Sequence, residues 1–504
     1  MKNKERASSC DLGYEYTLAL CQAIEAFTKE TELSDPDAFM YKGVNLKYAV
    51  ERSLYIDLVI SKKLYGLFEA CFQGKDFPKK IIFDSETEKE IADILFRAKI
   101  ARSNLLINRR LKIKLSKILK LLGFFFSFLS IKNHAFHLPG KKSALVVFYV
   151  IHKKFVMYLK PITDNLPIGF SYLSVLNPGI KATLKKNKIP FIDLAFAPEP
   201  SILHKNYSTL GKFSQILFYY DQFYASLSLL EPRSVVLAEG NALQDELINQ
   251  ACKKLSIPVI CLQQGWSPVI HNGFRNMSFT EMLVWGQGFA ELLQPFNPNQ
   301  KFIAVGNHII SERANQEIAL KKSICFFLQS TSNLISQESW DKFFALILWA
   351  AQEFRNLTIL VREHPNTGLN RERRGQLLTY PNIRIMRPDS YSINDCLELC
   401  RVSVSIYSTT ILESIALRVV PIIANFTSMP NFVPDIAGRG AGVEVKSTEA
   451  AKKTIQKALN DDEFLKSFLP AMQQFREDFF YGDNVKAVSR IIGEITSLSE
   501  QNRC

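Results

Sequence analysis

The pattern of apolar and polar residues changes near residue 140. Before that point, apolar residues recur at helical spacing over 14–29, 47–72 and 86–128, with few helix breakers. After it, short continuous apolar runs alternate with helical stretches, beginning with the run 144–150. Strands that alternate with helices indicate a parallel sheet. The pattern therefore predicts a helical N-terminal region followed by α/β structure.

The α/β part divides into two series of strands, separated by the polar linker 295–300. The first series has predicted strands at 144–150, 169–176, 190–195, 234–238, 258–262 and 281–285. The second series has predicted strands at 301–305, 323–328, 357–361, 383–386, 402–406 and 419–424. We expect two α/β domains behind the helical N-terminal region. The predicted units are a helical N-terminal region at 1–140, a first α/β domain at 141–295, a second α/β domain at 300–480 and a C-terminal helix at 481–504.

Composition adds one regional feature, a concentration of positive charge. The chain of 504 residues is 47% hydrophobic and 22% charged, which is typical of a multidomain globular protein. Its net charge of +13 is concentrated in the stretch 97–160, which contains fifteen Lys or Arg and no Asp or Glu. This stretch predicts either a solvated helical face or a surface for anionic lipid or glycan. We see no nucleic-acid-binding motif and expect no nucleic-acid partner.

Several absences in the sequence bear on location and metal binding. The N-terminus has no hydrophobic signal segment, and the most apolar run, 121–131, is shorter than the roughly twenty residues of a spanning helix. We expect a cytoplasmic protein, with a peripheral position on the inner face of the cytoplasmic membrane as the alternative that the basic stretch allows. The nine cysteines lack zinc-site spacing. The Asp-x-Asp match at 35–37 precedes the α/β part and is interpreted as a turn or a helix start.

Polar clusters follow two strands of the second series. Arg362, His364, Pro365 and Asn366 come after the strand 357–361. Proline ends the strand, while an imidazole and a guanidinium can both bind phosphate. The alternative is a strand-end histidine that caps a turn.

The second cluster begins a helix after the strand 402–406. Ser408, Thr409 and Thr410 supply hydroxyls at the helix N-terminus, where an anion is favoured. Glu413 lies one helical turn later, where its carboxylate could accept hydrogen bonds from two ribose hydroxyls. The alternatives are an ordinary N-cap and a capping box. Gln329 and Ser330 follow the strand 323–328 and are either phosphate ligands or a generic polar loop.

The order of strand, Arg-x-His-Pro, strand and Ser-Thr-Thr-x-x-Glu resembles the donor domain of GT-B glycosyltransferases. The resemblance is to bacterial enzymes of capsule and lipopolysaccharide synthesis, including Kdo- and sialyltransferase-like enzymes. Gln263-Gln264-Gly265-Trp266 and Val305-Gly306-Asn307 are similar to further segments of that family, although Gln264 stands where His is common. The resemblance covers roughly residues 142–495 and none of the helical N-terminal region.

The resemblance implies two Rossmann-like domains that face a cleft, with an acceptor domain at 141–295 and a donor domain at 300–480. It also implies transfer of a sugar from a nucleotide-sugar to a glycan or lipid-linked acceptor, without a metal or other cofactor. It slightly favours a CMP-linked acidic sugar over UDP- or GDP-linked donors. The residues that it assigns to the donor site are Arg362, His364, Pro365, Asn366, Ser408, Thr409, Thr410, Glu413, Gly306, Asn307, Gln329 and Ser330.

The acceptor side needs a general base for the attacking hydroxyl. Glu239, at the end of the strand 234–238, is the first candidate, and His364 is the catalytic candidate on the donor side. Related motifs are acidic-acidic-Gly, but Ala238 stands at the first position here, and Glu239 could instead satisfy the turn at Gly240. His152 is the second candidate for the base. Gln264, Gly265 and His152 are expected on the acceptor side of the cleft.

Two other functions fit the same sequence. The first is a different reaction on the same fold, either UDP-sugar 2-epimerisation or polyol-phosphate transfer from a CDP-glycerol type of donor. The second is a non-catalytic, degenerate glycosyltransferase that acts as an assembly partner. The departures at Ala238 and Gln264 keep the second alternative open.

Overall fold

The structure is a computed structural model of the 504-residue chain. It describes residues 12–75, 77, 80–83, 85–97, 99, 104–107, 145–174, 178–193, 213–310, 323–365, 367–481 and 486–501. The apolar run 121–131, most of the basic stretch 97–160 and the predicted donor residue Asn366 lie outside the described residues.

The N-terminal region is mainly helical, with two short two-stranded sheets. Its elements in chain order are α1 (Gly13–Ser34), β1 (Met40–Tyr41), β2 (Val44–Asn45), α2 (Lys47–Leu58), α3 (Lys62–Phe72), β3 (Ile81–Phe83), α4 (Glu86–Phe96) and β4 (Leu105–Ile107). Strands β1 and β2 pair antiparallel, whereas β3 and β4 pair parallel.

The first α/β domain is built on a seven-stranded parallel sheet. Its elements are β5 (Val146–Tyr149), α5 (Lys153–Thr163), β6 (Phe170–Leu173), α6 (Pro178–Lys186), β7 (Phe191–Ile192), α7 (Phe213–Leu230), β8 (Ser234–Ala238), α8 (Leu243–Lys254), β9 (Val259–Leu262), β10 (Glu281–Val284), α9 (Gln287–Leu293) and β11 (Phe302–Ala304). The strand order is β11-β10-β9-β8-β5-β6-β7. Short 3-10 turns cover Asn272–Phe274 and Gln294–Phe296.

The second α/β domain is built on a six-stranded parallel sheet in the order β14-β13-β12-β15-β16-β17. Its elements are β12 (Ser323–Phe327), α10 (Gln337–Glu353), β13 (Thr358–Arg362), α11 (Arg371–Leu378), β14 (Ile383–Met386), α12 (Ile393–Leu399), β15 (Val402–Ser405), α13 (Thr409–Ala416), β16 (Val420–Ala424), β17 (Val443–Val445), α14 (Thr448–Asn460), α15 (Asp462–Lys466) and α16 (Leu469–Phe480). The last helix, α17 (Ala487–Gln501), returns to the first domain, where Ser499 Oγ lies 2.7 Å from Ser234 Oγ.

The central strands read as continuous apolar runs because helices cover both faces of each sheet. Every residue of β8, β9, β12 and β15 is buried. The expected fold class, two Rossmann-like α/β domains preceded by a helical N-terminal region, is confirmed by these two parallel sheets.

The N-terminal region contacts both α/β domains. At the start of α1, Asn333 Nδ2 of the second domain donates to Thr17 Oγ1 over 3.1 Å. A Cβ on Gly13 would lie 1.5 Å from the Asn333 carbonyl oxygen, so only glycine permits this approach. On the first domain, Arg275 Nη1 forms a 2.9 Å ion pair with Glu25 Oε1. The region therefore spans the two domains along one side.

Three predicted elements differ from the structure. The predicted helix 47–72 is two helices, because Ser61 accepts from Leu64 N and starts a new helix. Leu105–Ile107 falls in a predicted helix but forms a strand, since Ile81–Phe83 offers it a parallel partner. The sequence pattern also predicts one helix over 461–478, but the structure has one helix that ends at Lys466 and a second that begins at Leu469. Within the described residues, no helix is long and apolar enough to cross a membrane.

The predicted strand 301–305 was assigned to the wrong series. It forms as Phe302–Ala304, but it pairs with Glu281–Val284 at the edge of the first sheet. The register joins Met282 to Phe302 and Val284 to Ala304. The linker 295–300 is therefore a connection between neighbouring strands of one sheet. Its polar residues support this turn, since Asn297 Nδ2 donates to the Phe274 and Leu293 carbonyls.

Candidate functional site

The strand order of each sheet identifies where a ligand is expected. In the second sheet the chain runs outward from β12 in one direction and from β15 in the other, so the order reverses between these two strands. In the first sheet it reverses between β5 and β8. Ligands of open α/β sheets bind outside the carboxyl ends of the strands at such a point. Ser330 and Ser408 follow the first pair of strands, and His152 and Glu239 follow the second pair.

His364 lies beside the reversal point of the second sheet. Its Nδ1 is 3.2 Å from Ser330 Oγ and 3.4 Å from Thr367 Oγ1. Burial lowers the pKa of His364, and the charges of Lys154 and Arg362 lower it further. The imidazole is therefore neutral at pH 7 and can donate one hydrogen bond and accept another. Pro365, directly after it, is exposed at the start of the turn that pairs His364 with Thr367.

Arg362 and Glu413 lie under this edge, within electrostatic range of each other. Arg362 is buried in strand β13, and its Nη1 donates to the Glu363 carbonyl over 2.9 Å. Glu413 is half-buried on α13. Burial raises the pKa of Glu413 to about 7, although the charge of Arg362 opposes that rise. Among the described residues, Glu413 Oε2 and Arg362 Nε have no hydrogen-bond partner.

The hydroxyls at the start of α13 have three different environments. Ser408 is an N-cap, since its Oγ accepts from Thr410 N over 3.2 Å. Thr409 Oγ1 contacts the first domain, where it accepts from Trp266 N over 3.3 Å. Thr410 is 8% exposed, and its Oγ1 has no partner within the described part of the chain. The ordinary capping role is therefore present at Ser408, and the buried Thr410 hydroxyl is left without a partner among the described residues.

Gln329 supports the loop after β15. Its Oε1 accepts from Tyr407 N over 2.9 Å, and its carbonyl accepts from Trp340 Nε1 over 2.9 Å. Ser330, next to it, contacts both His364 and the Thr367 hydroxyl. The structure thus brings Ser330, His364, Arg362 and Glu413 to one edge, with Gln329 in a supporting position.

Glu239 lies at the reversal point of the first sheet. Its backbone is left-handed, with φ 77°, and it continues the sheet by donating from N to the Leu262 carbonyl over 2.8 Å. Burial raises the pKa of its carboxyl, while Lys154 and a hydrogen bond from Asn241 oppose that rise. A half-buried carboxylate with a raised pKa is suited to accept a proton near neutral pH. Glu239 also lines a pocket with Gln264 and Gly265.

Three polar residues near this edge make local backbone contacts. His152 is the N-cap of α5, and its Nδ1 accepts from Lys154 N over 3.1 Å. His271 accepts from Gly273 N and stacks on Tyr55 at 4.4 Å between ring centroids. Asp245 Oδ2 accepts from Ala242 N over 3.2 Å. The roles of His152 as base or acceptor ligand stay predictions.

The two edges meet at the loop after β9. Trp266 of that loop contacts Thr409 through its N–H and, over 3.5 Å, through its carbonyl. Gly265 lies beside the same hydroxyl, since an added Cβ would be in ordinary contact with Thr409 Oγ1 at 3.7 Å. The predicted acceptor loop and the predicted donor helix are therefore in direct contact.

Sequence reasoning missed Lys154 and His308. The charge of Lys154 lowers the pKa of both Glu239 and His364. Lys154 is therefore within electrostatic range of both edges. The signal was its position two residues after His152, at the start of a helix below a strand end. His308 Nε2 lies 2.8 Å from the Tyr158 carbonyl, and burial lowers its pKa to about 4.

Gly306 and Asn307 lie on the first sheet, contrary to their expected place on the donor sheet. They follow β11, where Gly306 N donates to the Trp285 carbonyl over 3.0 Å and has φ 88°. Asn307 is buried, and its Oδ1 accepts from Ile309 N. Any contact they make with a donor comes from the first domain. Their donor-binding role stays a prediction.

No arrangement for a metal ion occurs among the described residues, where groups of three or more suitable His, Cys, Asp or Glu side chains are absent. Metal independence stays a prediction. The Asp-x-Asp match does form the predicted turn, since Asp35 Oδ1 accepts from Asp37 N just after α1.

No protein-family model and no curated protein sequence matches the chain. Among solved structures, it is similar to UDP-GlcNAc 2-epimerase from Neisseria meningitidis bound to UDP-GlcNAc, at 12% identity, over 70% of this chain and 99% of that one, with a TM-score of 0.48. It is similar to the glycosyltransferase SnogD from Streptomyces nogalater, at 14% identity, over 71% and 100%, with a TM-score of 0.46. It is also similar to MurG from Acinetobacter baumannii, at 13% identity, over 70% and 99%, with a TM-score of 0.44. Similarity at this level carries no functional argument, and the strand orders establish the architecture by themselves.

Proposed function

We propose that this protein is a glycosyltransferase that moves a sugar from a nucleotide-sugar to a glycan or lipid-linked acceptor. The observation that carries the proposal is a pair of buried polar atoms at the reversal point of the second sheet. Thr410 Oγ1 and Glu413 Oε2, one turn apart on α13, lack partners within the described residues. Each such atom costs about 1–3 kcal/mol unless something hydrogen-bonds to it. A nucleotide would supply both partners.

The donor would be held by three kinds of contact. The start of α13 and the His364 imidazole face the phosphates, since a helix N-terminus and a neutral N–H both favour an anion. Glu413 would accept from the ribose hydroxyls, and Arg362 beneath it would balance the charge of that carboxylate. Side chains and the helix dipole would stabilise the leaving phosphate.

The reaction would then join the two edges. Glu239 takes the proton of the acceptor hydroxyl while that oxygen forms a bond to the anomeric carbon of the sugar. The bond from the anomeric carbon to the phosphate oxygen breaks, and the nucleotide leaves with the electron pair. Lys154, in electrostatic range of both Glu239 and His364, adds positive charge on the path of the leaving group.

The finer parts of the proposal rest on the sequence motifs. The His-Pro and Ser-Thr motifs favour a CMP-linked acidic sugar as donor. The family resemblance of the same motifs favours a role in capsule or lipopolysaccharide synthesis. A cytoplasmic location, with peripheral contact to an anionic membrane, is favoured by the positive charge of the stretch 97–160.

The first test is thermal stabilisation by CMP, CDP, UDP, GDP and dTDP, on the wild type and on His364→Ala. A ligand at 100 times its dissociation constant stabilises a protein by about 2.7 kcal/mol. We expect one nucleotide to stabilise the wild type and to stabilise the variant less. A protein that responds to none of them would contradict the proposal and favour a non-catalytic partner.

A second test separates transfer from the other reactions of the fold. Nucleotide-sugars carrying the stabilising nucleotide are incubated with the protein, with and without a glycan acceptor. We expect nucleotide release that an acceptor accelerates. Conversion of a UDP-sugar to its 2-epimer without an acceptor, or turnover of CDP-glycerol, would replace transfer with one of those reactions.

A further inference from the structure

The N-terminal region inserts a buried arginine beneath the loop that carries Glu239. Arg52 lies on α2 and is fully buried. Its Nη1 donates to the Gly240 carbonyl over 2.9 Å and to the Ala242 carbonyl over 3.2 Å. Its Nη2 lies 3.1 Å from Glu246 Oε2 in an ion pair whose two side chains are at most 1% exposed. One guanidinium therefore contacts two carbonyls of the loop and one carboxylate of the helix that follows it.

The loop needs such a support because its backbone is unusual. Glu239 and Gly240 both have left-handed backbones, with φ 77° and φ 74°. Residues other than glycine adopt this conformation only where the surroundings impose it. The β-sheet holds the front of the loop through the bond from Glu239 N to the Leu262 carbonyl. Arg52 holds the back of it, and Asp245 closes the turn by accepting from Ala242 N.

Glycine is required at the centre of this arrangement. A Cβ on Gly240 would lie 2.4 Å from Cys261 Sγ and 3.0 Å from the Phe279 ring. The loop thus cannot move towards Cys261 and Phe279, and its Gly240 and Ala242 carbonyls accept from the buried guanidinium. Because the backbone is held on both sides, the direction of the Cα–Cβ bond of Glu239 is fixed as well.

We infer that Arg52 is a positioning residue that holds Glu239 in the orientation needed for proton transfer, and that the N-terminal region is for this reason part of the catalytic unit. This inference rests on the proposed function, in which Glu239 is the base. The separation of 188 residues between Arg52 and Gly240 means that no local sequence signal joins them. A displaced base lowers the rate steeply because general-base catalysis needs hydrogen-bond distance to the proton.

The test removes the support while leaving the buried charge balanced. Arg52→Met alone would leave Glu246 charged, buried and unpaired, so we combine it with Glu246→Gln, because replacing both partners of a buried pair is tolerated far better than removing one. Glu246→Gln alone is the matched control, since it keeps Arg52 on the Gly240 and Ala242 carbonyls. It also leaves the Arg52 guanidinium buried without a carboxylate, so a thermal scan must show that this control folds before its kinetics are compared. The readouts are nucleotide stabilisation and the kcat and KM of nucleotide release from nucleotide-sugars.

We expect the double variant to fold and bind nucleotide as the wild type does, with an unchanged KM and a kcat lowered about 10- to 100-fold. The control should keep kcat within about threefold. Arg52→Lys should recover only part of the rate, since a single ammonium lacks the planar fork that serves two carbonyls and a carboxylate. A folded double variant with wild-type kcat would overturn the inference, and if it fails to fold, a wild-type kcat for Arg52→Lys would overturn it.

The outcomes separate this inference from the proposed function. A protein that binds no nucleotide would refute the proposed function itself. An undiminished kcat for Glu239→Gln would refute Glu239 as the base, and with it any role for Arg52 in positioning the base. A strong loss for Glu239→Gln, together with unaffected Arg52 variants, would refute the Arg52 inference alone.

Discussion

The two facing edges of the cleft are built in different ways. On the second sheet, the site comes from parts of one domain: Ser408 caps its own helix two residues before Thr410, and Ser330 and His364 follow neighbouring strands. On the first sheet, the Glu239 loop depends on Arg52 of the N-terminal region. The proposed donor side is therefore a local structure, and the proposed acceptor side is an assembled one. This difference indicates that donor binding should tolerate changes in the N-terminal region that transfer does not.

The largest effect should come from the assembled edge. Glu239→Gln keeps the size of the side chain and removes the proposed base, so kcat should fall about 10²- to 10⁴-fold. The dissociation constant of the nucleotide should stay the same, because the proposed donor site lies on the other edge. Steady-state kinetics and nucleotide titration measure the two quantities. Glu231→Gln, an exposed glutamate just before the same strand, is the control, and equal rates for the two variants would exclude the base role.

The next effect should come from the local edge. His364→Ala removes the proposed hydrogen-bond donor to the phosphate, and loss of one such hydrogen bond typically lowers kcat about 10²- to 10³-fold. Unlike Glu239→Gln, this variant should also bind nucleotide more weakly. Because the imidazole is half-buried, the fold should survive, which a thermal scan can check.

The matched control for His364→Ala is Gln456→Ala, which removes an exposed hydrogen bond to Glu353 on the same domain. Wild-type turnover of His364→Ala, or turnover reduced equally in both variants, would remove His364 from the site. A lower kcat with unchanged nucleotide affinity would mean that His364 acts in the chemical step and does not contribute to nucleotide binding.

A smaller effect should appear in the pH dependence of nucleotide binding. The pKa of Glu413 is about 7 in the absence of ligand, because burial disfavours its charge. Ribose hydroxyls donate to the ionised carboxylate and would lower that pKa, so binding releases a proton and is favoured above pH 7. Between pH 8 and pH 6 the dissociation constant should rise about tenfold, since a pKa of 7 makes the ionised fraction fall by about that factor.

Glu413→Gln tests whether Glu413 causes the pH dependence of nucleotide binding. In this variant the dissociation constant should be higher at pH 8 and nearly constant down to pH 6, as isothermal titration can measure. The same nucleotide lacking both ribose hydroxyls should bind the wild type with little pH dependence. A full pH dependence that persists in Glu413→Gln would assign the titration to another group and leave the ribose contact without support.

The contrast between the edges also explains what the sequence could reveal. The parallel sheets were predictable because their strands are continuous apolar runs, and the cluster around His364 was predictable because strand ends and helix caps lie close together in sequence. The N-terminal strand Leu105–Ile107 was not, since its partner is a separate short strand. The strand Phe302–Ala304 was placed in the wrong sheet because pairing, not its own sequence, decides which sheet a strand joins.

The site residues divide in the same way, into those that a local sequence pattern predicts and those that depend on tertiary packing. Lys154 and Arg52 escaped attention because each acts on residues far away in the chain: Lys154 on Glu239 and His364, and Arg52 on the Gly240 carbonyl. A lysine at a helix start and an arginine inside an amphipathic helix have no distinctive sequence pattern. Their roles depend on which elements pack together, and that information is tertiary.

The smallest predicted effect concerns the contact that joins the two edges. Thr409 Oγ1 of the local edge accepts from Trp266 N of the first domain over 3.3 Å. Thr409→Val removes that hydroxyl at nearly constant volume, and one hydrogen bond contributes about 0.5–1.5 kcal/mol, so nucleotide affinity should weaken about two- to tenfold. Thr409→Ser keeps the hydroxyl and serves as the control.

Small-angle scattering decides what the loss in Thr409→Val means. If the contact holds the domains together, the unliganded Thr409→Val protein should have a larger radius of gyration than the wild type, and saturating nucleotide should restore it. An unchanged radius together with weaker binding would instead assign the hydroxyl to the phosphate, as the sequence motif predicts. Unchanged radius and affinity would mean that the two edges operate independently of this contact, and that their approach depends on the N-terminal region that spans both domains.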